Sequence, residues 1–202
     1  MSESVVEVGR HFREEDWYAE ELGDARFTDC TFTDIDLTEA TTRGAVFESC
    51  VFHGGRFNAS THVSSAFVAC DFRRTSFFDA TLEGCKLSGS SFAECTLRPM
   101  RIAGGQWGGV TMRGAVLTKL DLAGLDLREA DLSMANLTET VLRGCRLDGA
   151  NVREANLDRA DLRGASLDRV DLAAARLAGT KLDLQGAVML AELHGADVDV
   201  SL

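Results

Sequence analysis

The sequence predicts a solenoid, a rod wound from five-residue units. Three observations predict it. A large apolar residue recurs at every fifth position, a small residue sits two positions before each of these, and glycine recurs at a spacing of 20.

The first observation carries most weight. Counting by five from Phe12 gives Trp17, Leu22, Phe27, Phe32 and Leu37, and the frame runs to Leu182 without a slip. Of its 35 positions 33 are apolar, the exceptions being Thr42 and His62. A helix repeats at about 3.6 residues and a strand at about 2, so neither period generates a fixed five. The second column reads Ala25, Cys30, Ile35, Ala40, Ala45 and Cys50, continues to Ala150, Ala155, Ala160 and Ala165, and holds all six cysteines. Between the columns lie Asp, Asn, Thr, Ser, Arg and Gly, the composition of an exposed surface.

The glycines supply a longer period. Gly44, Gly84, Gly104, Gly124, Gly144 and Gly164 fill six of the eight positions of one 20-residue phase between 24 and 164. A stacked column of corners with positive φ asks for glycine in this way. Thr42 and His62 are also 20 apart, as are Cys30, Cys50 and Cys70, so each set is expected to stack along the rod.

Clear copies of the unit are Ala130-Asp131-Leu132-Ser133-Met134, Ala135-Asn136-Leu137-Thr138-Glu139 and Ala160-Asp161-Leu162-Arg163-Gly164. This unit resembles the pentapeptide-repeat family over about residues 12–182. The resemblance implies an all-β fold, a right-handed quadrilateral parallel β-helix in which the large and the small column both point inward. About eight coils at roughly 4.8 Å each give a rod about 40 Å long. Open ends of such a stack must be capped.

Three segments follow: an N-terminal extension over 1–11, the repeat over 12–182, and a C-terminal helix and tail over 183–202. Val5-Val6-Glu7-Val8 reads as a short strand or an extension over the first coil. Asp183 is placed to cap a short helix from about Leu184 to His194, with Gly195 as its stop. The apolar residues of that helix cover more than one face. One face closes the last coil, and the rest is either a plain cap or a self-association contact through Leu184, Val188, Met189, Leu190 and Leu193.

Composition excludes several classes. No apolar run of about 18 residues, the length of a membrane span, occurs. The start Met1-Ser2-Glu3-Ser4 lacks the features of a secretory signal, so a cytoplasmic protein is expected. A net charge of -11 argues against direct nucleic-acid binding. Residues 1–40 hold 12 acids and 3 bases, a net of -9, which leaves -2 for the other 162 residues.

No catalytic or metal constellation assembles, and neither enzyme activity nor a cofactor is expected. The six cysteines read as small apolar filler, since no CxxC pair occurs among them. His62 above Thr42 reads as a satisfied polar contact inside the coil or as a local distortion of the wall near Ser60-Thr61-His62-Val63-Ser64-Ser65. Gly104-Gly105-Gln106-Trp107-Gly108-Gly109 lacks the Lys-Ser/Thr and helix of a phosphate loop, and its glycines make room for Trp107. Asp131, Asn151 and Asp171 form a 20-residue ladder in which Asn separates the two acids.

Within the family the chain resembles the loop-free mycobacterial fluoroquinolone-resistance (Mfp-type) subgroup and, more distantly, the Qnr proteins. Phenylalanine fills the early centres and leucine the later ones, cysteine recurs in the small column, Leu97-Arg98-Pro99-Met100 places the lone proline at a corner, and the C-terminal segment is similar. The frame has no insertion, whereas Qnr proteins carry projecting loops. The resemblance implies a homodimer that imitates duplex DNA, binds DNA gyrase and modulates quinolone action. The acidic surface expected to make that contact is Asp16, Glu20, Glu21, Asp24, Asp29, Asp34, Asp36 and Glu39. The alternative is a scaffold or immunity protein with another partner.

Overall fold

In the computed structural model, which describes residues 5–199, the chain winds into a four-sided parallel β-helix and ends in one short helix. Residues 20 apart pair in parallel along the rod, from Val6 with Arg26 to Asp161 with Lys181, with one register shift where Gly23 meets Thr42. Three sides carry parallel sheets four, five and five strands deep. The first side begins at Val6–Val8, the second at His11–Arg13 and the fourth at Glu21–Gly23. The third side is held instead by single bridges, Asp16 to Asp36 to Arg56 to Ser76 to Thr96.

Strand pairing therefore does not run the whole length of the expected eight coils. It ends at Ala103, and beyond that every side is joined by isolated bridges. The cause lies in the residues beside each centre. In the first half these include Thr31 and Thr33, Val46, Thr61 and Val63, β-branched residues that favour extended backbone. In the second half the residue before the centre is repeatedly Asp or Asn, whose side chain accepts from the backbone N–H two residues on. Asp121 does so from Ala123 at 3.0 Å, Asp131 from Ser133 at 3.0 Å and Asn156 from Asp158 at 3.0 Å. That bond closes an Asx turn and shortens the extended segment to a single residue. Asp16 and Asp36 make the same bond to Tyr18 and Thr38, which is why the third side lacks strands from the start.

Both inward columns behave as expected. Phe27, Phe32, Phe47, Phe52, Phe57, Phe67, Phe72 and Phe77 are fully buried. Their rings stack along each side at the coil spacing: Phe27 on Phe47 at 4.9 Å, Phe47 on Phe67 at 4.8 Å, Phe32 on Phe52 at 4.6 Å and Phe52 on Phe72 at 4.8 Å. Between sides they meet edge to face, as Phe47 and Phe52 do at 5.7 Å. Burying each such ring contributes about 1.5–3 kcal/mol, so the aromatic ladder is the main stabilising feature of the first half.

The left-handed corner is more general than the glycine phase suggests. It recurs in all four corner columns, and 19 non-glycine residues among those described hold φ between 49° and 64°. Left-handed backbone costs an L-residue roughly 1–2 kcal/mol, and most of these turns are held by a hydrogen bond to the next coil. Glu14 N–H donates to the Thr33 carbonyl at 2.9 Å and Asp34 N–H to that of His53 at 2.8 Å.

The two ends are closed differently. Val6–Val8 pairs in register with Arg26–Thr28, so the segment before Phe12, set apart above as an extension, forms the first rung of the wall. Glu7 there occupies a centre position and pairs with Arg10 at 2.5 Å, and Arg10 lies 4.8 Å over the Phe12 ring. At the other end the helix spans Leu184–Leu193, capped by Asp183, whose side chain accepts from Gly186 N–H at 2.9 Å. The second Asp183 oxygen accepts from Gly164 N–H at 2.7 Å and so ties the helix to the last coils.

Candidate protein-interaction surface

The eight acids singled out from the sequence lie on the first two coils, but not on one side. Asp16 and Asp36 stand on the third side, Glu20 and Glu21 on the fourth, and Asp24, Asp29, Asp34 and Glu39 at or near the corners. The fold arranges them as a collar around the N-terminal end rather than as a stripe. All are exposed except Asp36, which is half-buried. Asp36 pairs with Arg56 at 2.7 Å. Burial alone would raise its carboxyl, but the hydrogen bonds from Arg56 and Thr38 outweigh it and hold it at about 2.

Ion pairing divides the rod. Asp16, Glu20, Glu21, Asp29, Asp34 and Glu39 make no ion pair among the described residues. In the second half several carboxylates are matched by arginine, Asp126 with Arg128 at 2.8 Å, Glu129 with Arg169 at 2.9 Å, Asp158 with Arg176 at 2.8 Å and Asp161 with Arg163 at 2.6 Å, while Asp121, Asp131, Asp148 and Asp171 make no ion pair among the described residues. Arg163 holds the Asp161 carboxyl at about 2. The negative field thus concentrates at the N-terminal end, as the uneven charge of the sequence requires.

The buried imidazole and hydroxyls of the interior are satisfied. His62 is buried beside Thr42, its Nδ1 2.8 Å from the Thr42 hydroxyl and its Nε2 3.0 Å from that of Ser60. Burial pushes its pKa down to about 4, so it is neutral near pH 7. The cysteines are free, and they do more than fill space. Cys70 Sγ–H donates to the Phe47 carbonyl at 3.4 Å and Cys145 to that of Leu122 at 2.9 Å. Ser90 and Thr140 in the same columns donate to the equivalent carbonyls at 2.7 and 2.8 Å. The small column therefore supplies donors between coils, a role its uniform small size concealed. Burial pushes the Cys145 thiol up to about 11, an unreactive state.

The glycine-rich stretch makes room for Trp107 at Gly105. A Cβ there would collide with the Cys85 carbonyl oxygen and stand 3.2 Å from Trp107 Nε1. That Nε1–H is a buried donor without a partner among the described residues. Asn151 Nδ2 donates to Asp131 at 3.2 Å, so that ladder joins two coils. Among the described residues no group of acidic, histidine and cysteine side chains is arranged to hold a metal ion. No helix among them is long and apolar enough to cross a membrane.

The C-terminal helix presents two faces. Met189 and Leu190 pack against the core with Leu182. Leu184 is 72% exposed and Leu193 44%, while Val188 is half-buried. Leu184, Val188 and Met189 line a groove of about 640 Å³ against Ala165 and Leu167 of the last coils. On the wall, Tyr18, Phe78 and Val116 are exposed apolar side chains that a count confined to the five-residue frame passes over. Their signal is apolar character at an outward position.

A rod of identical rungs, with inward columns and its chemistry displayed only on outer sides, is a β-solenoid repeat protein. The chain belongs to the pentapeptide-repeat family: pentapeptide repeats match in eight copies over residues 22–61, 65–98, 108–144, 135–173 and 145–183. No curated protein sequence matches it. Among solved structures it is similar to a trypsin-treated form of QnrB1, a plasmid-mediated fluoroquinolone resistance protein. The TM-score is 0.72 at 22% identity, over 97% of this chain and 98% of that one. A second trypsin-treated form of QnrB1 gives 0.59 at 21% identity, over 96% and 100%. At these identities the likeness is one of fold.

Proposed function

We propose that this protein is a non-catalytic mimic of duplex DNA that binds DNA gyrase and modulates its response to quinolone-type inhibitors. The observation that carries this reading is the N-terminal collar of exposed carboxylates on a rod without insertions, set against a remainder of net charge -2 in which several acids are paired with arginine. Duplex DNA carries one charge per about 1.7 Å, or roughly 23 over 40 Å. The chain offers a net 11, about half that density. The shared fold with a fluoroquinolone resistance protein points the same way. Self-association through Leu184, Val188, Met189, Leu190 and Leu193 would double the rod to about 80 Å and set an acidic collar at each end.

The test is a supercoiling assay with purified gyrase, titrating the protein with and without ciprofloxacin. Inhibition or drug rescue at micromolar concentration or below is expected. Reversing four collar charges (Asp16→Lys, Glu21→Lys, Asp29→Lys and Asp34→Lys) is expected to abolish the effect. If the reversed protein retains full activity, the collar is not the contact.

A further inference from the structure

The collar supplies charge but no apolar foothold, and stable protein interfaces are anchored by aromatic side chains within a charged rim. The third side provides such anchors. Tyr18 is 53% exposed and Phe78 52%, and both occupy the same outward column of that side, three coils apart. At roughly 4.8 Å per coil the two rings are about 14 Å apart. The positions between them are Thr38 and Asn58, neutral and polar, and the next beyond Phe78 is Arg98. Val116 continues the apolar character of this side at 46% exposure. Among the described residues no large apolar side chain stands exposed on the fourth side. The exposed valines of the first side, Val6 and Val8, belong to its open end.

Glu39, one coil on, lies beside the Tyr18 hydroxyl and raises it above its ordinary range, first through a hydrogen bond. The backbone at Phe78 is tied down, its N–H donating to Ser76 Oγ at 3.4 Å while Ser76 donates to Asn58 Oδ1 at 2.6 Å. One long edge is mixed, with Asp34 and Arg74, and the other is acidic, with Glu39 and Asp79. The one arginine in the middle, Arg56, is neutralised by Asp36 at 2.7 Å.

We propose that the third side between Tyr18 and Phe78 is the docking face for a basic protein surface that otherwise holds duplex DNA, with the two rings entering apolar depressions that a duplex leaves empty. This rests on the DNA-mimic reading and adds to it. The carboxylates at the edges reproduce the charge of a duplex, while the rings give the protein partner a hold that phosphate does not.

The test measures binding of purified gyrase to immobilised full-length protein and to Phe78→Ser and Tyr18→Ser variants. A Val6→Ser/Val8→Ser variant serves as a control for apolar exposure elsewhere. Because these side chains project outward, the thermal midpoint should stay within about 2 °C of the parent, the behaviour of ordinary surface substitutions. The face is supported if Phe78→Ser weakens binding by about 30-fold, the scale of an interface anchor, while the valine control binds normally. Normal binding by both ring variants overturns the face and leaves the DNA-mimic reading standing, as does equal weakening by the valine control. Failure of the unaltered protein to bind gyrase overturns that reading and the face with it.

Discussion

His62 couples the stability of the rod to pH in a direction and size that can be worked out. Its ring is buried between Phe57 and Phe67, at 5.7 and 5.3 Å, with Thr42 and Ser60 on its two nitrogens. Cys85 Sγ–H donates to its carbonyl at 3.2 Å, and no carboxylate pairs with the ring among the described residues. Burial holds the folded pKa at about 4 against an ordinary 6.5. The native state therefore excludes a proton that the unfolded chain accepts. The contribution is complete above the unfolded value and is lost as pH falls from about 6.5 toward 4. The gap between about 4 and 6.5 corresponds to roughly 3 kcal/mol, all of it lost by pH 4 and about 2 kcal/mol of it lost by pH 5. The assay is urea unfolding at intervals between pH 4 and 8 for the parent and for His62→Leu. The variant is expected to be less stable near pH 7, because Thr42 and Ser60 lose a partner. Its stability should nevertheless decline less between pH 7 and 4, by most of those roughly 3 kcal/mol. Asp36 and Asp161, held at about 2, give up their stabilisation mainly below this window and do so in both proteins. Parallel pH profiles for the two proteins would show that the buried imidazole is not held neutral, and the reasoning would fail.

Two further substitutions test the packing. Gly105→Ala is expected to cost several kcal/mol by thermal unfolding, since it must adopt φ of +127° and strike the Cys85 carbonyl. Gly124→Ala, at φ +70° with no neighbour within 4 Å, should cost about 1 kcal/mol, and equal effects would refute the steric account. Asp183→Ala removes a helix cap and the link to Gly164, and should cost about 1–2 kcal/mol while releasing the C-terminal helix to faster amide exchange; unchanged exchange would show that the helix docks without it.

The five-residue frame was legible because each coil repeats the same burial problem, so one column of large and one of small residues recurs without interruption. The Asp183 cap and the Thr42–His62 stack were legible for a related reason. A local signal or a spacing of 20 fixes each of them without reference to anything else. Three features were not. Left-handed corners occupied by Glu14, Asp29 or Arg159 leave no trace in composition, because the bond to the next coil, not glycine, holds them. Cysteine, serine and threonine in the small column look like filler until the carbonyl 23 residues earlier is seen beside them. The spread of the acids around four sides depends on corner geometry that a linear count does not carry.

That spread bears on the proposed mimicry. A stripe of charge along one side would imitate a single DNA strand, whereas a collar presents carboxylates in several directions at one end. The arginines explain why the collar is confined there. Arg128 and Arg163 each reach the carboxylate two residues before them, and Arg159 reaches Glu139 one coil away at 3.3 Å. Where such pairs form, near neighbours cancel and little of their field extends past about 10 Å at ordinary salt. The unpaired carboxylates at the other end face no such cancellation. Attraction to a basic partner should therefore act first at the N-terminal coils. The apolar contacts of the third side lie within the same stretch of rod, where they can convert that encounter into a bound state.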